Sequence, residues 1–193
     1  QPLFREITFS VVVLEARIAA TGQANADPFL FRHLASRLDS RMLDVLRQDL
    51  QVNGPLTAGT RHLGPTLHLN LTLSSILSDR FAHFAATCRA IGARIGVEVP
   101  LVEAFMAARP RLRLAGLALV LDGVSHHALM LTMPMVLEPD LIKLDWSPRL
   151  PEAGSAVERA VEALGGDRVV LHRAETEAAL SWGLAHGIRR FQG

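Results

Sequence analysis

Residues able to do chemistry recur in this sequence at one kind of place, the ends of short apolar runs. Glu15 follows Val11-Val12-Val13-Leu14, and Asn70 sits in Leu67-His68-Leu69-Asn70-Leu71. Glu98 sits in Ile95-Gly96-Val97-Glu98-Val99, and Asp122 closes Leu117-Ala118-Leu119-Val120-Leu121. Lys143 and Asp145 lie in Ile142-Lys143-Leu144-Asp145-Trp146, His172 and Glu175 follow Val169-Val170-Leu171, and Gln192 follows Arg190-Phe191. Three carboxylates with an amide oxygen form a hard-oxygen set that suits Mg2+, Mn2+ or Ca2+. An ammonium beside them suits a phosphate group as a point charge. Any one of these residues alone reads as a polar cap on a strand; the series together points to a site.

Lys143 stands out against its background. The chain has 20 Lys and Arg residues, and Lys143 is the only lysine among them. Ammonium and guanidinium differ in shape and in ease of deprotonation, so this position is a candidate for a specific role.

The apolar runs must be strands if they are to present these residues together. Thr8–Leu14, Leu67–Leu71, Ile95–Val99, Leu117–Leu121, Leu141–Leu144 and Val169–Leu171 are rich in Val, Ile and Leu without clean alternation. That pattern suits strands covered on both faces. Shorter candidates, Gln1–Arg5 and Ile188–Phe191, bring the count to eight.

Helical patterns lie between them. Asp27-Pro28 reads as a helix start, followed by Leu30, Leu34, Leu38, Met42, Leu46 and Leu50 at helical spacing. Phe81, Phe84, Ala85 and Cys88 form a second stripe, stopped by Gly92. Ser155 and Glu158 form a capping-box pattern, and Thr176–His186 is a further amphipathic stretch stopped by Gly187. Strands alternating with helices predict a parallel sheet of the α/β class, and eight of them predict a closed (β/α)8 barrel. Its strand ends would converge on one mouth.

Composition bounds the rest. A chain of 193 residues, 49% hydrophobic and 20% charged, reads as one globular domain. A net charge of +1 gives no global field to hold nucleic acid or an anionic membrane. Arg109-Pro110-Arg111-Leu112-Arg113, without interleaved aromatics, reads as a solvated loop rather than a nucleic-acid patch. The single cysteine, Cys88, excludes an internal disulfide framework and a cysteine-built metal site. No apolar run reaches the roughly 18 residues of a membrane span, and no signal peptide is legible. The chain begins at Gln1, which reads as a piece of a longer multidomain protein. Trp146 and Trp182 read as packing residues.

In order along the chain, these residues resemble the EAL domains, which hydrolyse cyclic di-GMP. Gln1-Pro2-Leu3 is similar to the family's opening glutamine-proline strand, and Glu15-Ala16-Arg17 stands where Glu-Ala-Leu falls. Asn70-Leu71-Thr72 is similar to Asn-Leu-Ser, and Glu98-Val99-Pro100-Leu101 to part of Glu-x-Thr-Glu. Asp122-Gly123-Val124 lies where the family has Asp-Asp-Phe-Gly, and Lys143-Leu144-Asp145 matches Lys-x-Asp. Glu175-Thr176 matches the end of Ala-Glu-Gly-Val-Glu-Thr, and Gln192-Gly193 the closing Gln-Gly. The resemblance implies a modified barrel with one strand reversed.

It also implies roles. Glu15, Asn70, Glu98 and Asp122 stand where the family binds its first metal, so Mg2+, Mn2+ or Ca2+ is expected at a single retained site. Lys143 stands at the catalytic lysine near the attacking water and phosphate. Gln1, Glu15, Lys143, Glu175 and Gln192 stand at ligand-binding positions. The departures fall on the second metal and the base. Gly123 replaces a second-metal Asp, Leu101 replaces a Glu, and His172 replaces the candidate general base. Ala19 replaces an Arg that contacts the ligand. A two-metal mechanism needs both ions, and losing a general base alone removes about 10²–10⁴ in rate.

The expectation is therefore a catalytically inactive EAL domain in bacterial cyclic di-GMP signalling, acting as a nucleotide receptor. Two alternatives stay open: a protein-interaction module that no longer binds nucleotide, and a weak phosphodiesterase rescued by His172, His126 or His127. Cyclic di-GMP and attached or partner signalling proteins are the expected partners, with a homodimer left open. The expected location is the cytoplasm, with tethering through regions outside this chain. A site still in use is expected to be an open cleft with Lys143 free to meet phosphate. A decaying one would be filled by His126, His127, His172 or Arg17 pairing with Glu15, Glu98 and Asp122.

Overall fold

The structure, a computed structural model, describes residues 5–7, 28–54, 67–99, 102–132 and 138–193. Gln1, Glu15, Arg17, Ala19 and Leu101 lie outside the described residues, as does the expected strand Thr8–Leu14. The chain divides into two compact units, Gln1–Glu98 with Ala107–Ala118, and Val99–Met106 with Leu119–Gly193.

In the first unit, β1 (Arg5–Ile7), β2 (Leu67–Asn70) and β3 (Ile95–Val99) run side by side and parallel. β3 is buried along its whole length, Glu98 included. The long helix α1 (Pro28–Asn53) begins at the proline the sequence marks as a start. It buries Ala35, Met42, Leu43, Leu46 and Leu50. Beyond β2 comes the single turn α2 (Leu73–Ile76), then α3 (Asp79–Ile91). Ser78 caps α3 by accepting from the Phe81 amide, and Gly92 closes it in the left-handed conformation. Phe81, Phe84 and Cys88 are fully buried on its inner face. Burial pushes the Cys88 thiol up to about 12, which makes it an inert core residue.

Arg109–Arg113 corrects the loop expectation. It lies within α4 (Val102–Ala115), with Pro110 inside the helix. Ala108, Leu112 and Ala115 are buried at helical spacing, and that apolar stripe carries the helix through the proline. Arg111 donates from Nη2 to the Ser78 carbonyl at 2.9 Å.

The second unit holds β4 (Ala118–Val124), β5 (Leu141–Asp145), β6 (Val169–His172) and β7 (Arg190–Gln192), each parallel to the next. Leu119, Val120, Leu121, Ile142, Leu144, Val170 and Leu171 form the apolar centre of these strands. Between these strands lie α5 (His126–Thr132), α6 (Ser155–Leu164) and α7 (Glu177–Ala185). Thr176 caps α7 by accepting from the Ala179 amide. The capping box expected at Ser155 is not formed: α6 starts after Gly154, with no side-chain cap. On α7, a Cβ at Gly183 would fall 2.6 Å from the Phe191 ring, so only glycine lets this helix lie so close to β7. Trp146 and Trp182 pack at 5.8 Å between ring centroids, and His186 stacks on Trp182 at 4.3 Å.

The pairs β1–β2, β2–β3, β4–β5, β5–β6 and β6–β7 are all parallel. The reversed strand that the resemblance implies is not seen in these pairs. No helix among the described residues is long and apolar enough to cross a membrane.

Candidate functional site

Among the described residues, Asn70, Glu98, Asp145, His172 and Gln192 fall at or next to the C-terminal ends of strands. In the first unit, Asn70 on β2 is in register with Glu98 on β3. His68 precedes Asn70 by two residues and so shares its face of the strand. Its Nδ1 lies 3.0 Å from Glu98 Oε1, and both side chains are 0% exposed. Thus Glu98, a carboxylate the resemblance assigns to a metal, is engaged by an imidazole inside the protein.

The loop that follows Asn70 is fixed from behind. Asp39, fully buried on α1, accepts through Oδ2 from the Thr72 amide at 2.9 Å and the Thr72 hydroxyl at 2.8 Å. Thr72 in turn caps α2. Sequence reasoning missed both His68 and Asp39. The signal was present: a histidine two positions before Asn70 must share its face, and an aspartate among Ala35, Met42 and Leu43 falls on the inner face of α1.

In the second unit, Asp145, His172 and Gln192 form one lateral row at the ends of β5, β6 and β7. His172 Nδ1 lies 2.8 Å from Asp145 Oδ1. The contact with Asp145 raises the His172 pKa above the usual imidazole range, against the opposing effect of burial; the charges of Asp145 and Asp122 add to the rise, and Lys143 opposes it. The same hydrogen bond holds the Asp145 carboxyl below the usual range, with smaller help from the charges of His172, Arg173 and Lys143. Lys143 lies two residues before Asp145 on the same face and is 1% exposed. Glu175 is exposed in the loop after β6, and Gln192 is half-buried.

The expected open cleft with a free Lys143 is therefore not what is found. The pairings expected of a filled mouth are not found among the described residues either. His172 meets Asp145 instead of Glu98 or Asp122, and the histidine on Glu98 is His68. His126 and His127 sit at the start of α5 with ring centroids 3.9 Å apart.

Asp122 lies where β4 slips register against β5, between Leu121 and Val124. Gly123 completes this bulge with φ +65°, in the left-handed region. The residue that replaces the expected second aspartate is thus also the one that turns the backbone. Among the described residues, no group of three or more His, Cys, Asp or Glu side chains is placed to hold a metal ion. Of the expected metal set, Glu15 lies outside the described residues and Glu98 is engaged by His68.

This arrangement of strands has counterparts of known structure. Vibrio cholerae LapD, an S helix–GGDEF–EAL protein in its apo form, matches with a TM-score of 0.59 at 19% identity. The match covers 83% of this chain and 41% of LapD. The Xanthomonas citri FimX EAL domain, in complex with cyclic di-GMP, matches at 0.55 and 11% identity, covering 84% of this chain and 69% of that one. Bacillus subtilis YkuI, with an EAL domain and in complex with substrate cyclic di-GMP and calcium, matches at 0.56 and 15%, covering 91% and 45%.

The fold is that of an EAL domain.

The likeness covers most of this chain, 83–91% in these three structures. This chain spans less than half the length of LapD and of YkuI. No family model matches the sequence, and no curated protein does.

Proposed function

We propose that this chain is a catalytically inactive EAL domain that serves cyclic di-GMP signalling as a nucleotide receptor. The observation that carries the reading is the buried His68–Glu98 contact. The imidazole Nδ1 lies 3.0 Å from Oε1 of this carboxylate, which the resemblance assigns to a metal. Two further features support it. Gly123 brings no carboxylate to the β4 bulge. At the expected base position stands an imidazole held by Asp145 at 2.8 Å in place of the family's carboxylate.

The receptor role is supported by the cationic side chains at the ends of β5 and β6, Lys143, His172 and Arg173, and by the likeness to EAL structures that contain cyclic di-GMP. Gln192 and Glu175 are proposed to help orient the ligand, and Gln1 is proposed to join them. Binding is proposed to be independent of Mg2+, Mn2+ or Ca2+. The domain is proposed to work in the bacterial cytoplasm as one part of a longer signalling protein.

The burial of Lys143, 1% exposed, favours a second reading, a protein-interaction module that no longer binds nucleotide. One experiment separates the two. Calorimetry with cyclic di-GMP, with and without Mg2+, is expected to give equal heats of binding in both conditions, and chromatography to give no linear dinucleotide product. Absence of heat at millimolar nucleotide would reject the receptor role and leave the interaction module. Turnover near the usual enzyme range of about 1–10³ s⁻¹ would reject inactivity.

A further inference from the structure

The turn after β6 carries a feature that the site so far does not use. Arg173 has φ +58°, the left-handed conformation that favours glycine and is uncommon for a residue with a long side chain. The turn is well fixed. The Ala174 amide donates to the Gln192 carbonyl at 2.9 Å, and the Glu175 amide to the Arg173 carbonyl at 2.9 Å. Laid against Ala-Glu-Gly-Val-Glu-Thr, the segment Leu171-His172-Arg173-Ala174-Glu175-Thr176 places Arg173 on the glycine. The backbone shape that suits glycine is kept, yet an arginine occupies it. Strain retained at a strand end calls for a reason in the side chain.

The side chain is placed to supply one. Arg173 is exposed, follows His172 directly, and its charge bears on Asp145. Lys143, on the same strand as Asp145, is 1% exposed. A guanidinium can fork two oxygens of a phosphate, which a single ammonium cannot. The arginine that the EAL resemblance would use on the ligand is Ala19 here.

We propose that Arg173 is a phosphate-contact residue: the left-handed turn after β6 presents its guanidinium to a phosphodiester oxygen of the bound nucleotide. This rests on the receptor reading above. It adds a residue that the family resemblance does not supply, and it assigns the strained backbone a purpose.

The test compares wild type, Arg173→Gly and Arg173→Lys. Glycine relieves the backbone while removing the guanidinium, so Arg173→Gly is expected to melt no lower than wild type. It is expected to bind cyclic di-GMP about tenfold more weakly by calorimetry, the loss of one charge-assisted contact. Arg173→Lys is expected to fall between the two. Equal affinity of wild type and Arg173→Gly would overturn the proposal and leave the receptor reading standing. A parallel fall in melting temperature and affinity would give Arg173 a structural role and also overturn it. If wild type binds no cyclic di-GMP, the receptor reading fails and inorganic pyrophosphate decides. A saturable shift of the Arg173 Nε–H resonance would support the phosphate contact, and no shift would reject it.

Discussion

Asp145 and His172 face each other across β5 and β6, with Asp145 Oδ1 2.8 Å from His172 Nδ1. The pairing follows from register: the two residues are aligned neighbours in a parallel pair, so their side chains leave the sheet on the same side. Each partner changes the other. The imidazole pKa is raised, with the hydrogen bond to Asp145 as the largest cause, and the carboxyl is depressed, with the hydrogen bond to His172 as the largest cause.

This pair gives stability a defined pH window. His172 contributes fully below the ordinary imidazole range, and its contribution fades as pH rises through the raised value. Asp145 contributes above the ordinary carboxylate range, and its contribution fades as pH falls through the depressed value. The pair is therefore strongest between about pH 4 and pH 6.5, where both ordinary values leave it charged. Thermal melts of wild type and His172→Gln should differ most in that window and converge toward alkaline pH. Parallel curves across pH 4–9 would count against the ion pair.

The strands were legible because their composition is nearly all apolar, and burial on both faces leaves little else possible. β3 and β5 follow the apolar runs to within a residue. The polar residues at strand ends were legible for the same reason, since each interrupts such a run. What was not legible is which partner each would meet. His68 faces Glu98, and Asp39 faces Thr72, through pairings 30 and 33 residues apart that depend on register and helix rotation. The burial of Lys143 was hidden likewise, because a lysine near a strand end is equally compatible with an open mouth. Arg109–Arg113 was misread because three arginines and a proline outweigh one leucine in composition, while Leu112 at helical spacing from Ala108 decides the packing.

His68→Ala should destabilise the protein by about 1–3 kcal/mol, because it leaves a buried carboxyl group without its imidazole. Glu98→Ala should do the same to the imidazole. The double variant should be less destabilised than the sum of the two, since each single change strands the same partner. Urea unfolding of the four proteins measures this. Additive effects would show that the 3.0 Å contact contributes nothing of its own.

Gly123→Asp tests the bulge on β4. A Cβ there meets no atom within 4 Å, so space is not the obstacle. The obstacle is φ +65°, which an aspartate tolerates at about 1 kcal/mol. The variant should fold, melt slightly lower, and by itself restore no hydrolysis of cyclic di-GMP, because His68 still engages Glu98. Adding His172→Glu should bring at most partial recovery. Chromatographic detection of product in Mg2+ and in Mn2+ checks this, and full activity from Gly123→Asp alone would contradict the assignment of His68.

Asp39 acts on the site without reaching it. Its Oδ2 accepts both the amide and the hydroxyl of Thr72, two residues after Asn70. Asp39→Ala removes both acceptors and leaves the Thr72 amide and hydroxyl to find others in a half-buried loop. The loss should be about 2 kcal/mol, two hydrogen bonds to a charged group partly offset by water entering the loop. Asp39→Asn keeps one oxygen and should recover about half of it. If the role is positioning, hydrogen exchange should quicken at Leu71, Thr72 and Ser75 in both variants while α3 stays protected. Uniform quickening throughout α3 would instead mean that Asp39 only holds the helices together.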